Sequence, residues 1–273
     1  MYKMLCLDID GTLLNSNHKI SKGTKEAIKR LSKEKDIRII LVSARMPKGI
    51  VFLQKELEIK EPIICYSGSL VLDKEYNIIS NQYIKFNQVK EIVEEAQKCK
   101  VHVSLYKDDS WIIEDIDKWA QIEADITGIK PEIINFGKMA NSTKYANGLN
   151  KILLIGDDSK ISEIYKKLNI KFTKDLNIYP SKSNYLEIMN KDVSKTLAIK
   201  QLLDLYKIDK SEVIAIGDNF NDIDMLKFAE VGIAMGNAPN EVKEISNDVT
   251  SCNDEDGIMK AINKYFYSWQ KIK

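Results

Sequence analysis

Asp8 and Asp10 stand one residue apart in "LCLDIDGT", closing an apolar run directly before Gly11. Like charges at that spacing repel, and nothing basic adjoins them. They belong either on an open turn in water or beside a cation. The arrangement recurs: "IILVSAR" ends an apolar run at Ser43, and "VIAIGDNFND" ends another at Asp218 and Asp222. In a doubly wound sheet, ligands bind in the crevice at the carboxyl ends of the strands. Residues far apart in sequence then converge, which predicts one acidic pocket of Asp8, Asp10, Asp218 and Asp222 with Ser43 at its side. Four neighbouring carboxylates raise one another's pKa and require protons or a cation. Oxygen-only donors favour a hard ion, Mg2+ where several waters and a phosphate complete the octahedron.

The elements that must deliver these residues alternate along the chain. "KMLCLDI", "IRIILVS" and "PIICYS" read as buried strands, separated by the helices "GTKEAIKRLSKEK", with Ala27, Ile28 and Leu31 facing inward, and "GIVFLQKELEI". Continuous Ile, Leu and Val runs between helices indicate a parallel sheet covered on both faces. "LVLDKEYNIISNQYI" predicts a hairpin turning near Glu75–Asn77 and leaving this layer. From Phe86 to Glu187 the rhythm loosens, with helices "QVKEIVEEAQKC" and "DSKISEIYKKL" and strands near "VHVSLY", "SWIIED", "KILLIG" and "IKFT". The parallel rhythm returns in "VSKTLAIKQLLDLY", "EVIAIGD", "NDIDMLKFA", "VGIAMG" and a helix from about Glu255. The expected fold is α/β, a doubly wound, mainly parallel Rossmann-like sheet core over 1–84 and 188–273, with an inserted α+β module at 85–187.

Each chemical signal also has an ordinary reading. "DxDG" alone is a common turn, "GDNFND" alone is a loop whose Asn219 or Asn221 caps a helix, and Lys195 alone is a solvated helix lysine. Tyr106, Trp111 and Trp119 in the inserted module fit core packing better than stacking on a ligand. It is the order of the pieces, at the strand ends of one pattern, that favours chemistry.

Composition narrows the class. The chain has 273 residues, 44% apolar and 30% charged, with a formal net charge of +1. That balance is globular and offers no basic field for duplex nucleic acid or anionic lipid. No run approaches the roughly 18 apolar residues of a membrane span, and Asp8 and Asp10 break the N-terminal apolar run that a secretory signal would need. Cys6, Cys65, Cys99 and Cys252 show no CxxC pairing, which suits reduced thiols in the cytoplasm. With only His18 and His102 in the chain, zinc and histidine-base mechanisms are poorly supplied.

The motifs "DIDGTLL", "VSAR", "SKTLAIKQL", "GDNFNDIDML", "VGIAMGNA" and "VTSCNDEDGI" span almost the whole chain. In that order they resemble the haloacid dehalogenase-like (HAD) phosphatases, and among them the Cof-type group with a large α/β cap after the third strand. The resemblance implies that Asp8 is a nucleophile forming an aspartyl-phosphate and that Asp10 is the general acid and base. It implies that Ser43 and Lys195 bind the phosphoryl group, with Gly11, Ala44 and Asn221 beside it. Asp218 would hold Mg2+ together with the Asp8 carboxylate and the Asp10 carbonyl, and Asp222 would support that set. A small phosphorylated metabolite, sugar phosphates foremost, is the implied substrate, for a monomer or weak homodimer.

The chain departs from the pattern in three places. Ser43-Ala44-Arg45 stands where Thr-Gly-Arg is usual, Ser67–Gly68 where Asn-Gly is usual, and "DVSKT" where Gly-Val-Ser-Lys-Gly is common, with Lys195 retained. These changes bear on substrate preference more than on chemistry. Two alternatives stay open: a phosphomutase or phosphotransferase passing the phosphoryl group to a hydroxyl, and a non-catalytic binding or regulatory protein on the same scaffold.

Overall fold

The computed structural model describes residues 1–139 and 142–268. The chain divides into two units, one built of Met1–Ala44, Ile50–Ile78 and the chain from Ser194 onward, the other of Arg45–Gly49 and Ile79–Val193.

The first unit grows from β1 (Met4–Leu7), whose four residues are all fully buried. An unbroken apolar strand of this kind is stable only with both faces covered. The chain leaves it through α1 (Lys22–Lys35), started by the Ser21 hydroxyl, which accepts from the Thr24 N–H, and buried along Thr24, Ala27, Ile28 and Leu31. It then forms β2 (Arg38–Val42), α2 (Pro47–Leu57) with proline at its first helical position, and β3 (Ile63–Cys65). β4 (Leu70–Leu72) pairs antiparallel with β3, so the predicted hairpin run stays in this sheet for a further strand instead of leaving it. The turn closes as Asp73 N–H donates to Asn77 O, and β5 (Ile78–Asn81) follows.

The second unit comprises α3 (Phe86–Cys99), β6 (His102–Lys107), β7 (Ser110–Ile113), α4 (Lys118–Thr127), β8 (Glu132–Ile133), the short α5 (Phe136–Met139), β9 (Lys151–Ile155), α6 (Asp158–Phe172), β10 (Leu176–Lys182) and β11 (Tyr185–Asn190). Its strands lie in the order β10-β11-β9-β6-β7-β8. Val89, Ile92 and Ala96 of α3 and Ile161, Ile164, Leu168 and Phe172 of α6 share a core with Val103, Leu105, Ile152 and Leu154. The strand expected at "IKFT" is absent, because Phe172 continues the inward row of α6 at helical spacing while Ile170 is exposed. The helical period outweighs the β-propensity of a single Ile. Tyr106 and Trp111 are buried and stacked on each other, at 6.3 Å between ring centroids.

The chain re-enters the first unit through α7 (Lys195–Tyr206), β12 (Val213–Gly217), α8 (Ile223–Phe228), β13 (Val231–Ala234), α9 (Asn240–Glu244), β14 (Asp248–Val249) and α10 (Gly257–Ile262). The sheet order is β14-β13-β12-β1-β2-β3-β4-β5, and every pairing from β14 to β3 is parallel. After β1 the chain winds outward to β2 and β3, and on return it places β12 on the other side of β1. The order therefore reverses between β1 and β12, and the crevice at their carboxyl ends is where such a sheet binds ligands.

Candidate active site

Parallel register sets the site. Leu7 lies level with Leu41 of β2 and with Ile216 of β12. Asp8 therefore leaves β1 beside the end of β12, its N–H donating to Ile216 O at 3.0 Å. Asp218 follows Gly217, and Ser43 follows Val42, its N–H donating to Ile64 O at 2.9 Å. Lys195 is the first residue of α7, a helix started by the Ser194 hydroxyl, which accepts from Leu197 N–H.

The Lys195 ammonium, 3% exposed, stands 2.5 Å from Oδ1 of Asp8 and 2.5 Å from Oδ1 of Asp222. The other oxygen of Asp222 accepts the N–H of Asp218 at 3.0 Å and of Asn219 at 3.1 Å. Asp222 thus fixes both the lysine and the loop after β12. Asp218 is held by the Thr12 hydroxyl, which donates to its Oδ1 at 2.8 Å. One carboxylate oxygen each from Asp8, Asp218 and Asp222 lies within 4.8 Å of the others.

Gly11 has φ +83, and a Cβ there would fall 2.8 Å from the Asp218 carboxyl carbon. Backbone hand and space both demand glycine at this turn. Asp10 is exposed and bridged to Leu14. Ser43 is buried, Ala44 is half-buried, and Asn221 is exposed on the turn Phe220–Asp222, whose N-cap is Asn219.

Burial pushes the Asp8 carboxyl well above its ordinary range, with Asp222 and Asp218 adding to the effect and Lys195 opposing it. Burial likewise raises Asp218 to about 6, against the Thr12 hydrogen bond. Burial alone would lower the Lys195 pKa, but Asp222 and Asp8 outweigh it and hold the ammonium charged. The cluster thus pairs Lys195 directly with two of its three carboxylates. Its all-oxygen donors suit a hard cation.

Three residues that matter here went unassigned in the sequence. Thr12 lies inside "DIDGT" and orients Asp218. Asn237 donates to Gly11 O at 2.8 Å, and Asn253 donates from its side chain to Leu14 O at 2.8 Å and from its backbone to Asn237 Oδ1 at 3.0 Å. Together they lace the loop after Asp8. "GNA" and "CND" held the signal, but an exposed asparagine reads as a turn residue until its partner is known.

The family model described as haloacid dehalogenase-like hydrolase matches residues 5–262. A putative phosphatase of Haemophilus influenzae is 38% identical over 268 residues, spanning 97% of this chain and 99% of that protein. A 5-amino-6-(5-phospho-D-ribitylamino)uracil phosphatase of Bacillus subtilis is 25% identical over 267 residues, spanning 96% of this chain and 97% of that protein. The crystal structure of a haloacid dehalogenase-like hydrolase from Bacteroides thetaiotaomicron superposes with TM-score 0.90 at 32% identity, covering 97% of this chain and all of that one.

Proposed function

The chain belongs to the haloacid dehalogenase-like hydrolases and is a phosphatase, and on that premise we propose that it hydrolyses phosphomonoesters of small metabolites, sugar phosphates foremost, through a phosphoryl group carried on Asp8. The observation that carries this reading is the buried Lys195 ammonium bridging Asp8 and Asp222, with Asp218 adjacent. A carboxylate approaches a phosphate dianion only when negative charge is compensated, and Lys195 supplies part of that compensation at the attacking group itself.

The residues then divide the work. Asp8 attacks phosphorus, while Ser43 and Lys195 hold the phosphoryl oxygens. Gly11 and Ala44 let the backbone approach the same group, and Asn221 offers an amide to it. Asp10 gives a proton to the departing alkoxide, then takes one from the water that attacks the phosphorylated Asp8. Asp8 and Asp218, with the Asp10 carbonyl, would hold Mg2+, and Asp222 would support them through the loop it organises. That ion, when bound, supplies positive charge that offsets the crowding of carboxylate and phosphate. The inserted unit, taken as residues 85–187, is assigned to substrate selection. The B. subtilis relative is named for a phosphorylated ribityl compound, which supports a small, hydroxylated organic group here.

The test is phosphate release from a broad panel of phosphorylated metabolites, with Mg2+ and with EDTA, using Asp8→Asn as the blank. Metal-dependent release that vanishes in the variant supports the reading. Release that survives Asp8→Asn overturns it.

A further inference from the structure

Among the described residues, three buried side-chain polar atoms lack a hydrogen-bond partner: Gln54 Oε1, Ser67 Oγ and Thr196 Oγ1. Gln54 lies on α2, and its amide nitrogen still donates to Glu61 O at 2.8 Å. The other two stand on segments that touch. Gly68 approaches the start of α7 so closely that a Cβ on it would lie 2.9 Å from the Ser194 carbonyl carbon. Ser67 precedes that glycine, and Thr196 follows Ser194 by two residues. Protein interiors rarely leave a hydroxyl unpaired, and one that is unpaired points to a partner from outside the chain.

The fold says where Ser67 stands relative to the chemistry. β1, β2 and β3 are neighbours, and their carboxyl ends lead to Asp8, Ser43 and Ser67 in turn. Ser67 N–H donates to Ser43 O at 2.8 Å, which extends the row by one strand. Two strand spacings, about 10 Å, therefore separate Ser67 from Asp8. A phosphoryl group seated on Asp8 and Ser43 does not span that distance, so the atoms reaching Ser67 belong to the organic group it esterifies. Tyr66 and Ser67 hold φ of 49 and 52 in succession, a left-handed pair of side-chain-bearing residues of the kind that persists where the chain must aim a group. A serine hydroxyl both donates and accepts, as does a hydroxyl of the organic group, so the two can pair in either direction.

We propose that Ser67 is a specificity-determining residue, hydrogen-bonding a hydroxyl of the substrate's organic group and so favouring polyhydroxylated phosphomonoesters. Thr196, on the α7 side of the same contact, is the second hydroxyl available to that group. The proposal rests on the phosphatase reading above and names the chemistry of its substrate.

The experiment compares kcat/KM on hexose and pentitol phosphates with kcat/KM on p-nitrophenyl phosphate, whose leaving group has no aliphatic hydroxyl. Wild type, Ser67→Ala, Ser67→Gly and Thr196→Val are measured, and melting temperature is recorded for each. Ser67→Gly removes the hydroxyl while relieving the left-handed backbone, so it serves if the alanine variant does not fold. The expected result is a fall of about three- to tenfold in the hydroxylated-to-aryl ratio for the Ser67 variants, carried mainly by KM. A shifted melting temperature with an unmoved ratio means that the two hydroxyls hold only a buried water, and it overturns the proposal. Equal losses on both substrate types overturn it too. Absence of phosphate release from every compound by wild type would instead remove the phosphatase reading itself, and the proposal with it.

Discussion

Methionine in place of Lys195 removes an ammonium that is 3% exposed and lies 2.5 Å from both Asp8 and Asp222. A net contribution of about 1.5–3 kcal/mol for each charge-assisted hydrogen bond gives roughly 3–6 kcal/mol for the pair. Removing one partner from a buried ion pair costs about 3–5 kcal/mol by direct comparison. The two routes agree, so Lys195→Met is expected to lower the unfolding free energy by about 3–5 kcal/mol in metal-free buffer at pH 7. Methionine has nearly the volume of lysine, so little of this is cavity formation. The loss comes from carboxylates stranded without a cation. Asp8→Asn removes one of those charges, so the double variant should be more stable than Lys195→Met alone. Urea unfolding of the four proteins in EDTA, followed by fluorescence and circular dichroism, measures the cycle. Additive losses, or a loss below about 1 kcal/mol for Lys195→Met, would refute a lysine that compensates buried charge.

Mg2+ at about a hundred times its dissociation constant should raise stability by about 2.7 kcal/mol through linkage. Asp218→Asn, which keeps an acceptor for the Thr12 hydroxyl and loses the charge, should abolish that gain in a thermal-shift titration; an undiminished shift would show that the ion binds elsewhere. His102 predicts a pH dependence in the other unit, where its ring nitrogens lie 3.0 Å from Asp117 Oδ2 and 2.9 Å from Ser104 Oγ. Burial lowers its pKa from 6.5, outweighing the opposing pull of Asp117. The unfolded chain therefore takes up the proton first, and this contribution is complete above pH 6.5 and drains as pH falls towards the folded value, at no more than about 1.4 kcal/mol per pH unit. Urea midpoints between pH 7.5 and 5 should show a shallower slope in His102→Gln, and an unchanged slope would contradict the assignment.

The α/β core was legible because its strands are unbroken apolar runs. "LCL", "IILV" and "VIAIG" admit no amphipathic alternative, and each ends in the residues that the crevice gathers. The site was legible only in part. Asp8, Asp218 and Ser43 follow from strand ends, but Lys195 sits on a helix and nothing local in "VSKTLAIKQL" distinguishes it from a solvated lysine. The dual engagement of Asp222, one oxygen on Lys195 and one on backbone N–H groups, depends on a loop conformation that spacing does not specify. Thr12 and Asn237 were unassigned for the same reason, since each acts through a partner more than 200 residues away. In the inserted unit, "IKFT" reads as a strand because four residues hold too few apolar positions to separate one from the last turn of a helix. The β10–β11 hairpin was likewise obscured, because "SKSN" interrupts two runs that make sense only when paired.

The most direct test of the account is the location of the phosphoryl group during turnover. If Asp10 serves as proposed, Asp10→Asn loses both the acid that protonates an alkoxide and the base that activates water. With p-nitrophenyl phosphate, whose phenolate departs without a proton, Asp8 should still attack and the phosphorylated protein should accumulate in the presence of Mg2+. Acid quenching followed by peptide mapping should find the phosphoryl group on the peptide containing Asp8 and nowhere else. Continued phosphate release with no labelled peptide, or a label on another residue, would contradict a mechanism that passes through Asp8.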